Sequence, residues 1–409
     1  MEWLVWVYLV YMFVIIYILT LIILIFLRNK DTFYSYPEAK KRYKISFIVP
    51  AYNEEGTLKE TIKHIQKIDY KDIVEIIIVN DCSSDNTLKI AKELRKKDNK
   101  IKIIDNQINL GKAGSMNRAL KLAKGEVIAI VDADSYPAED SVKKMVGFLD
   151  DPKVGVVTCQ ILARNREGFL GNLQGIEYRS IVFTRKLMEY IDSIYVTPGP
   201  LALYRKKALE EIKGFDEKNM TEDVEATWHL ALNGWSRKMS AQATVTTTVP
   251  TKFKDWWRQR RRWTIGGLQT LSRYFKYIGK KGMLGGFIVP FFASGLFLGL
   301  IGLCIFFYLV IKTIISRYLI AKYSFISSTS ALTLNELYIT PDFLNIVGIT
   351  LFIFSFFYTI VILSYLNDHT PRKQKILNIL FYSTLYLLLY PFFIIDGTYH
   401  FFKGKAKWR

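Results

Sequence analysis

The chain has 409 residues, of which 50% are hydrophobic and 15% aromatic, and a formal net charge of +19. That length exceeds one average domain, and that apolar share exceeds what an ordinary soluble enzyme carries, so part of the chain belongs in lipid. The basic excess does not read as nucleic-acid binding, because the cations sit beside apolar segments or spread over expected helices; anionic headgroups and a small ligand's phosphates fit it better.

Residues 3–27 form an apolar run of about 25 residues, long enough to cross a hydrocarbon core of about 30 Å. A cleaved signal peptide would be shorter, with cations ahead of its apolar part and small residues at its end. Here Glu2 precedes the run and Arg28 and Lys30 come after it, which predicts a retained anchor. Arg28, Lys30, Lys40, Lys41, Arg42 and Lys44 crowd its far flank, so the cation excess puts the polar middle of the chain in the cytoplasm and the N-terminus outside.

Residues 44–50 are a short apolar run ended by Pro50 and predict a strand. Residues 54–68 carry helical spacing, and 74–79 predict a second strand that stops at Asn80-Asp81. Residues 87–97 then predict a helix, 101–104 a strand, 113–123 a helix and 127–131 a strand. This alternation predicts an α/β domain with a mainly parallel sheet covered by helices, its ligands gathered at the carboxyl ends of the strands.

Polar residues fall at those ends. Pro50, Tyr52, Asn53 and Glu54 close the first strand, Asp81 ends the second, and Asp132-Ala-Asp134 ends the fourth. Asp also favours turns and helix caps, so each placement alone is equally a solvated turn. Two carboxylates one residue apart are nevertheless donors that a hard divalent cation takes. Lys112, in Gly111-Lys-Ala-Gly114 at a helix start, stands where a phosphate can be met, although the stretch matches neither the P-loop nor the dinucleotide fingerprint.

Val196-Thr-Pro-Gly-Pro-Leu201 reads as a Pro-bounded turn in which Gly199 permits close backbone approach. Thr221-Glu222-Asp223 reads as a helix start, with Thr221 as cap and two acids favouring the dipole, and also supplies a carboxylate able to take a proton. Between residues 253 and 277, Trp256, Trp257, Trp263, Leu268, Leu271, Tyr274 and Phe275 mix with Lys and Arg, as in a helix lying at the headgroup level. Within it, Gln259-Arg260-Arg261-Arg262-Trp263 offers planar donors for phosphate and an aromatic face for stacking.

Further apolar runs occupy residues 287–315, 343–366 and 376–402. A loop over 316–341 of balanced charge suits the outside, and Arg372, Lys373 and Lys375 suit the inside. The last run can span, or it can re-enter near Pro391 and Asp396; the basic Lys403, Lys405, Lys407 and Arg409 favour a tail that stays inside. Cys82, Cys159 and Cys304 form no paired spacing, so neither a disulfide frame nor a zinc site is expected, and His64, His229, His369 and His400 are scattered.

Pro50-Ala-Tyr-Asn-Glu54, Asn80-Asp81 with Ser83-Ser-Asp-Asn-Thr87, Asp132-Ala-Asp134, Thr221-Glu-Asp223 and Gln259-x-x-Arg262-Trp263, in that order, resemble the inverting GT-A glycosyltransferases of the cellulose, chitin, hyaluronan and poly-N-acetylglucosamine synthase group. The resemblance covers about residues 44–271, and the layout is most similar to the poly-N-acetylglucosamine synthases. It implies a GT-A catalytic domain, cytoplasmic, inserted between transmembrane helices of a multi-pass plasma-membrane enzyme. It implies a nucleotide site of Pro50, Tyr52, Glu54, Asp81, Lys112, Asp132, Gln259 and Arg262, and Asp132 and Asp134 as holders of Mg2+ or Mn2+. Asp223, with Glu222 beside it, is the implied base that activates the acceptor, and Gly199, Pro200, Leu201 and Trp263 line the acceptor end. The implied partners are a UDP-sugar donor, a growing polysaccharide and membrane lipids, without nucleic acid; the need for a small membrane accessory subunit stays open.

The resulting division is an N-terminal transmembrane helix (1–28), a catalytic domain (44–250), amphipathic interfacial helices (251–282) and a C-terminal transmembrane region (283–409). No cyclic-dinucleotide domain or gating sequence comes after the Arg/Trp motif, which counts against bacterial cellulose synthase. The competing enzyme reading is a single transfer to a polyprenyl phosphate or glycolipid, against which the Gln259 to Trp263 motif argues. The non-enzyme reading, a transporter or scaffold with a degenerate domain, is opposed by the presence of every expected carboxylate.

Overall fold

The computed structural model describes residues 2–327, 343–366, 376–386 and 388–404. After helix α1 (Glu2–Asn29), eight strands run through the middle of the chain: β1 (Ile45–Ala51), β2 (Ile73–Asn80), β3 (Ile101–Asp105), β4 (Val127–Ile130), β5 (Ser135–Pro137), β6 (Val154–Ala163), β7 (Ala202–Arg205) and β8 (Ser236–Thr247). Between them lie α2 (Leu58–Gln66), α3 (Thr87–Lys97), α4 (Gly111–Leu122), α5 (Lys143–Val146), α6 (Gly168–Tyr190), α7 (Lys206–Glu211) and α8 (Glu222–Leu232). The strands form one sheet in the order β3-β2-β1-β4-β7-β6-β8-β5.

Strands β3, β2, β1 and β4 are mutually parallel, as their alternation with helices predicts. The other half is mixed. β7 runs against both β4 and β6, β8 is parallel to β6, and β5 is antiparallel to β8. Successive side chains of the central strands enter opposite cores: Phe47, Val49, Ile76 and Ile78 pack with Leu58, Ile62 and Met145 on one face. Ile48, Ile77, Ile128 and Ile130 pack with Met116, Ala119, Leu209 and Leu230 on the other. Apolar residues on both faces explain why these strands read as continuous β-branched runs, and helices do cover both faces.

The remaining helices are α9 (Phe253–Tyr274), α10 (Val289–Ile326), α11 (Phe343–Tyr365), α12 (Ile376–Phe381) and α13 (Tyr390–Phe402). Among the described residues two helical stretches, Leu9–Thr32 and Leu284–Ile326, are long and apolar enough to cross a membrane. α10 extends past the expected end at 315, because no Gly or Pro interrupts residues 316–326. The rest of the expected outer loop, the expected inner loop with Arg372, Lys373 and Lys375, and the basic end at Lys405, Lys407 and Arg409 lie outside the described residues.

The last apolar run is divided. α12 leads into a π-helical turn, Tyr382–Tyr386, and α13 begins with Pro391 in its first turn. Proline lacks the N–H that would continue a preceding helix, which fits a restart at this point. α13 then lies along α9: the Phe393 ring stands 4.8 Å from that of Trp256 and 4.6 Å from that of Trp257. α6, which sequence patterning did not separate from the catalytic domain, is a second platform helix. Its Val182, Phe183 and Leu187 pack on Ile22 and Ile25 of α1 and on Ile362, and its Leu173 and Ile176 cluster with Trp256, Ile379 and Phe393.

Candidate active site

The loop after β1 and the loop after β2 are interlocked. Asn53 takes a left-handed backbone (φ 55°), which Asn tolerates, its N–H donates to Ser83 Oγ at 3.1 Å, and its Oδ1 accepts from Ser84 N at 2.9 Å. Glu54 N donates to Thr87 Oγ1 at 2.8 Å. Asp85, two residues before that threonine, accepts from Thr87 N at 2.9 Å and from Glu55 N at 3.1 Å, so part of the Asp81–Thr87 stretch is a cap for α3. Asp81 itself is buried and fixed by the crossover after β3: its Oδ1 accepts from Asn106 Nδ2 at 2.9 Å and from Leu110 N at 2.8 Å. Both bonds fall on one oxygen, which leaves Oδ2 for a ligand. Asn106 carries no distinctive signal in the sequence beyond a polar run after β3.

Asp132 and Asp134 emerge from β4. Asp134 Oδ1 accepts from Ser135 Oγ at 3.2 Å and from Thr247 Oγ1 at 3.4 Å. Burial, then the negative charges of Asp132 and Glu54, push its carboxyl up to about 7. Lys112 extends from the first turn of α4 to Asp132 Oδ1 at 2.5 Å and to Glu222 Oε1 at 3.1 Å. One ammonium therefore joins the acids after β4 to the acids that begin α8. Burial opposes that charge, but Asp132, Glu222 and Asp223 outweigh it and hold Lys112 well above its ordinary range.

Gly199 closes the same corner. A Cβ there would stand 2.8 Å from Asp132 Oδ1 and closer still to Lys112 Nζ, so glycine lets this backbone approach without displacing either side chain. The loop around it is held by Thr197, whose N–H donates to Thr227 Oγ1 at 3.0 Å, and Leu201 is fully buried beside β7, with Pro200 between them. Gly199 thus touches the expected nucleotide and metal residues as well as the expected acceptor side.

At the start of α8, Thr221 occupies the cap position but makes no side-chain capping bond; its Oγ1 donates instead to Asn219 Oδ1 at 3.3 Å. The expected threonine cap is therefore absent, and Asp223 Oδ1 accepts from Val224 N at 2.9 Å. Burial and then the charge of Glu222 push Asp223 up to about 6. For Glu222 burial acts upward too, but Lys112 and Arg262 outweigh it and hold this carboxyl below its usual range. Two neighbouring acids are driven apart in proton affinity, as a pair with separate tasks requires.

α9 is pressed against this corner. A Cβ on Gly266 would lie 2.7 Å from both Thr221 N and Cγ2, so the helix carrying the Arg/Trp motif sits directly on the Thr-Glu-Asp turn. The three arginines separate in role. The charge of Arg262 acts on Glu222 and Asp223. Arg260 turns the other way, into a fully buried pair with Glu177 of α6 that also receives Tyr390 Oη–H and, at 2.6 Å, Tyr386 Oη–H. Gln259 Oε1 accepts from Arg260 Nη1 at 2.7 Å, so the side chain of Gln259 is engaged with this buried pair. Trp263 is half-buried, with the Arg260 guanidinium 4.1 Å from its ring centroid, which leaves one face for a sugar. Arg261 stands 3.7 Å from Asp396, which also accepts from Trp257 Nε1 at 2.7 Å.

Sequence reasoning missed Glu177, Tyr386 and Tyr390, and noted Asp396 only as a place where the last run could re-enter; Glu177 offers no distinct signal, because the buried face of α6 mixes apolar with charged residues. The three cysteines are free. Among the described residues no group of three His, Cys, Asp or Glu is gathered for a metal. Asp132 and Asp134 are hard oxygen donors, and the crowding that raises Asp134 is relieved by a cation, so the pair fits a divalent ion whose other ligands come from a substrate.

Residues 46–213 match the family described as "Glycosyl transferase family 2". A poly-beta-1,6-N-acetyl-D-glucosamine synthase of Staphylococcus epidermidis is 33% identical over 353 residues, covering 84% of this chain and 80% of its own length. The Staphylococcus aureus (strain MSSA476) protein of the same description is 34% identical over 233 residues, 56% of each chain. Among solved structures, a Pyrobaculum calidifontis mannosyltransferase in complex with GDP-Man and Mn2+ superposes with a TM-score of 0.62 at 19% identity, covering 97% of this chain and 99% of that one; the likeness is one of fold.

Proposed function

The chain belongs to glycosyl transferase family 2, beside the poly-β-1,6-N-acetyl-D-glucosamine synthases, and from that premise we propose that it is a membrane-embedded inverting synthase that polymerises N-acetylglucosamine from UDP-N-acetylglucosamine and passes the chain across the membrane. The observation that carries this reading is the Lys112 bridge, 2.5 Å to Asp132 and 3.1 Å to Glu222, which joins a nucleotide end and an acceptor end in one corner. In this reading residues 44–250 are the catalytic domain, on the cytoplasmic side of a plasma membrane that the chain crosses more than once.

Asp81 receives the nucleoside through its free Oδ2, with the loop of Pro50, Tyr52 and Glu54 beside it, while Lys112 and Arg262 receive the diphosphate. Asp132 and Asp134 are the residues that would hold Mg2+ or Mn2+, whose charge, when bound, offsets the charge developing on the leaving diphosphate. The acceptor hydroxyl oxygen attacks the anomeric carbon as the bond from that carbon to the diphosphate oxygen breaks, and Asp223 takes the hydroxyl proton. A carboxyl near 6 is ionised at neutral pH yet basic enough for that task. Gly199, Pro200, Leu201 and the open face of Trp263 line the acceptor side.

Membranes carrying the full chain, given labelled UDP-N-acetylglucosamine, UDP-glucose or UDP-glucuronate with Mg2+ or Mn2+, should make long polymer from the first donor. Product confined to short, solvent-extractable lipid conjugates would favour the single-transfer reading instead.

A further inference from the structure

Arg185, in the middle of α6, is 5% exposed, and among the described residues it makes no hydrogen bond or ion pair; its Nε and Nη1 are buried without an acceptor. The other buried arginines near the site are provided for. Arg260 has Glu177, and Arg237 donates to the carbonyls of Trp235 and Asp192. A guanidinium cannot escape its charge by losing a proton in the working range, so an unpartnered one is strongly unfavourable inside a protein unless something else supplies acceptors. Burial accordingly pulls Arg185 below its ordinary range, and the groups acting against that are Tyr195, Cys159, Asp223 and Tyr178.

Val182 and Met188, one turn either side of Arg185 on α6, pack in one cluster with Ile194, Tyr195 and Phe287, which locates it. Asp223 is the proposed base. Cys159 donates its thiol to the carbonyl of Leu201 at 3.7 Å, in the loop on the acceptor side. Tyr195, just before that loop, is half-buried, its carbonyl accepts from Trp228 Nε1 at 3.0 Å, and its ring lies 6.2 Å from those of Phe291 and Phe292 at the start of α10. Arg185 therefore stands beside Tyr195, where α6 meets the turn that leads into a helix long enough to cross the membrane.

We propose that Arg185, with Tyr195, forms a sugar subsite that holds the acceptor chain behind its reacting hydroxyl, as the chain leaves the active site toward α10. The ligand class is a neutral oligosaccharide, whose hydroxyl, ring and amide carbonyl oxygens are acceptors for a planar fork of N–H donors and whose ring can lie against Tyr195. This rests on the polymerase reading above. Arg185 is a binding residue here, distinct from the diphosphate contacts of Lys112 and Arg262.

The test uses the full-length protein in nanodiscs, with UDP-N-acetylglucosamine as donor and a soluble N-acetylglucosamine oligosaccharide as acceptor. Arg185→Met should raise the acceptor KM at least about tenfold, the loss expected on removing hydrogen bonds to a charged donor. It should leave UDP affinity within about twofold and keep or raise the thermal midpoint, because it removes an unpaired buried charge. Arg185→Lys, which keeps the charge and loses the fork, should fall between the wild type and Arg185→Met in acceptor KM. An unchanged acceptor KM in both variants overturns the proposal, and so does a matching loss of UDP affinity or a fall in thermal midpoint with acceptor KM retained. Failure of the wild type to elongate any oligosaccharide overturns the polymerase reading, and this subsite with it.

Discussion

Asp223 and Glu222 are adjacent on one helical turn, yet burial and mutual repulsion raise the first to about 6 while Lys112 and Arg262 hold the second down. A base works only when deprotonated, so kcat should fall as pH drops through about 6, and a kcat profile flat down to pH 5 would remove Asp223 from that role. Glu222→Gln deletes the charge that raises its neighbour, so the acid limb should move to lower pH. Asp223→Asn should cost about 10²- to 10⁴-fold in kcat, with UDP affinity nearly unchanged by calorimetry. Gly199 gives a steric prediction at the same scale. Gly199→Ala forces a methyl against Asp132 and Lys112, so kcat/KM for the donor should drop at least about tenfold while the unfolding midpoint stays within a degree or two; unchanged donor kinetics would contradict the contact. Asp132, Asp134, Asp223 and Arg262 stand out in the sequence as candidates because each sits in a short motif. The Arg260 to Glu177 pairing was not legible, because it joins residues 83 apart and the run of three arginines gives no sign of which one turns inward.

At the scale of elements, strand and helix periods located β1 to β4 and α2 to α4 to within a few residues, since the parallel strands are apolar on both faces and each stops at a polar turn. The mixed half escaped that reasoning. β7 is only four residues long, and its place between β4 and β6 depends on long-range pairing that no local period records. α6 escaped for another reason: its buried set includes Gln174, Glu177, Arg179, Arg185 and Lys186, so the face it buries does not look apolar. Those charges make α6 the element that ties α9 to the apolar helices. Glu177→Ala should destabilise the protein by about 3–5 kcal/mol, because it leaves Arg260 buried without a counter-charge. Replacing both partners, Glu177→Met with Arg260→Met, should recover much of that loss in denaturant unfolding. Simple additivity of the two single losses would show that the pair is not coupled.

At the scale of the whole molecule, the apolar segments meet the catalytic domain through α6 and α9, and the fate of the last segment is set by what α13 touches. α13 lies along α9 through Phe393, and Asp396 accepts from Trp257 and stands 3.7 Å from Arg261. His400 Nδ1 lies 3.1 Å from Asp396 Oδ1, adding an imidazole to the same cluster. Charged groups are several kcal/mol more costly at the bilayer centre than at the headgroup level, and α9 carries Arg258, Arg260, Arg261, Arg262 and Arg273. We therefore expect α13, tied to that helix by its own acid and histidine, to stay at the surface beside the catalytic domain; α12 with its π turn is too short to cross alone. On a topology in which α1, α10 and α11 all cross, the C-terminus would share the side of the catalytic domain, and the cations of the last residues would obey the cation bias instead of opposing it. An epitope tag appended after Arg409 should therefore be cut by protease in inverted membrane vesicles, where the catalytic domain is also exposed, and stay protected in right-side-out ones. Cleavage from the outer side would mean that residues 376–402 cross the bilayer and that the contact between α9 and α13 does not hold in the membrane.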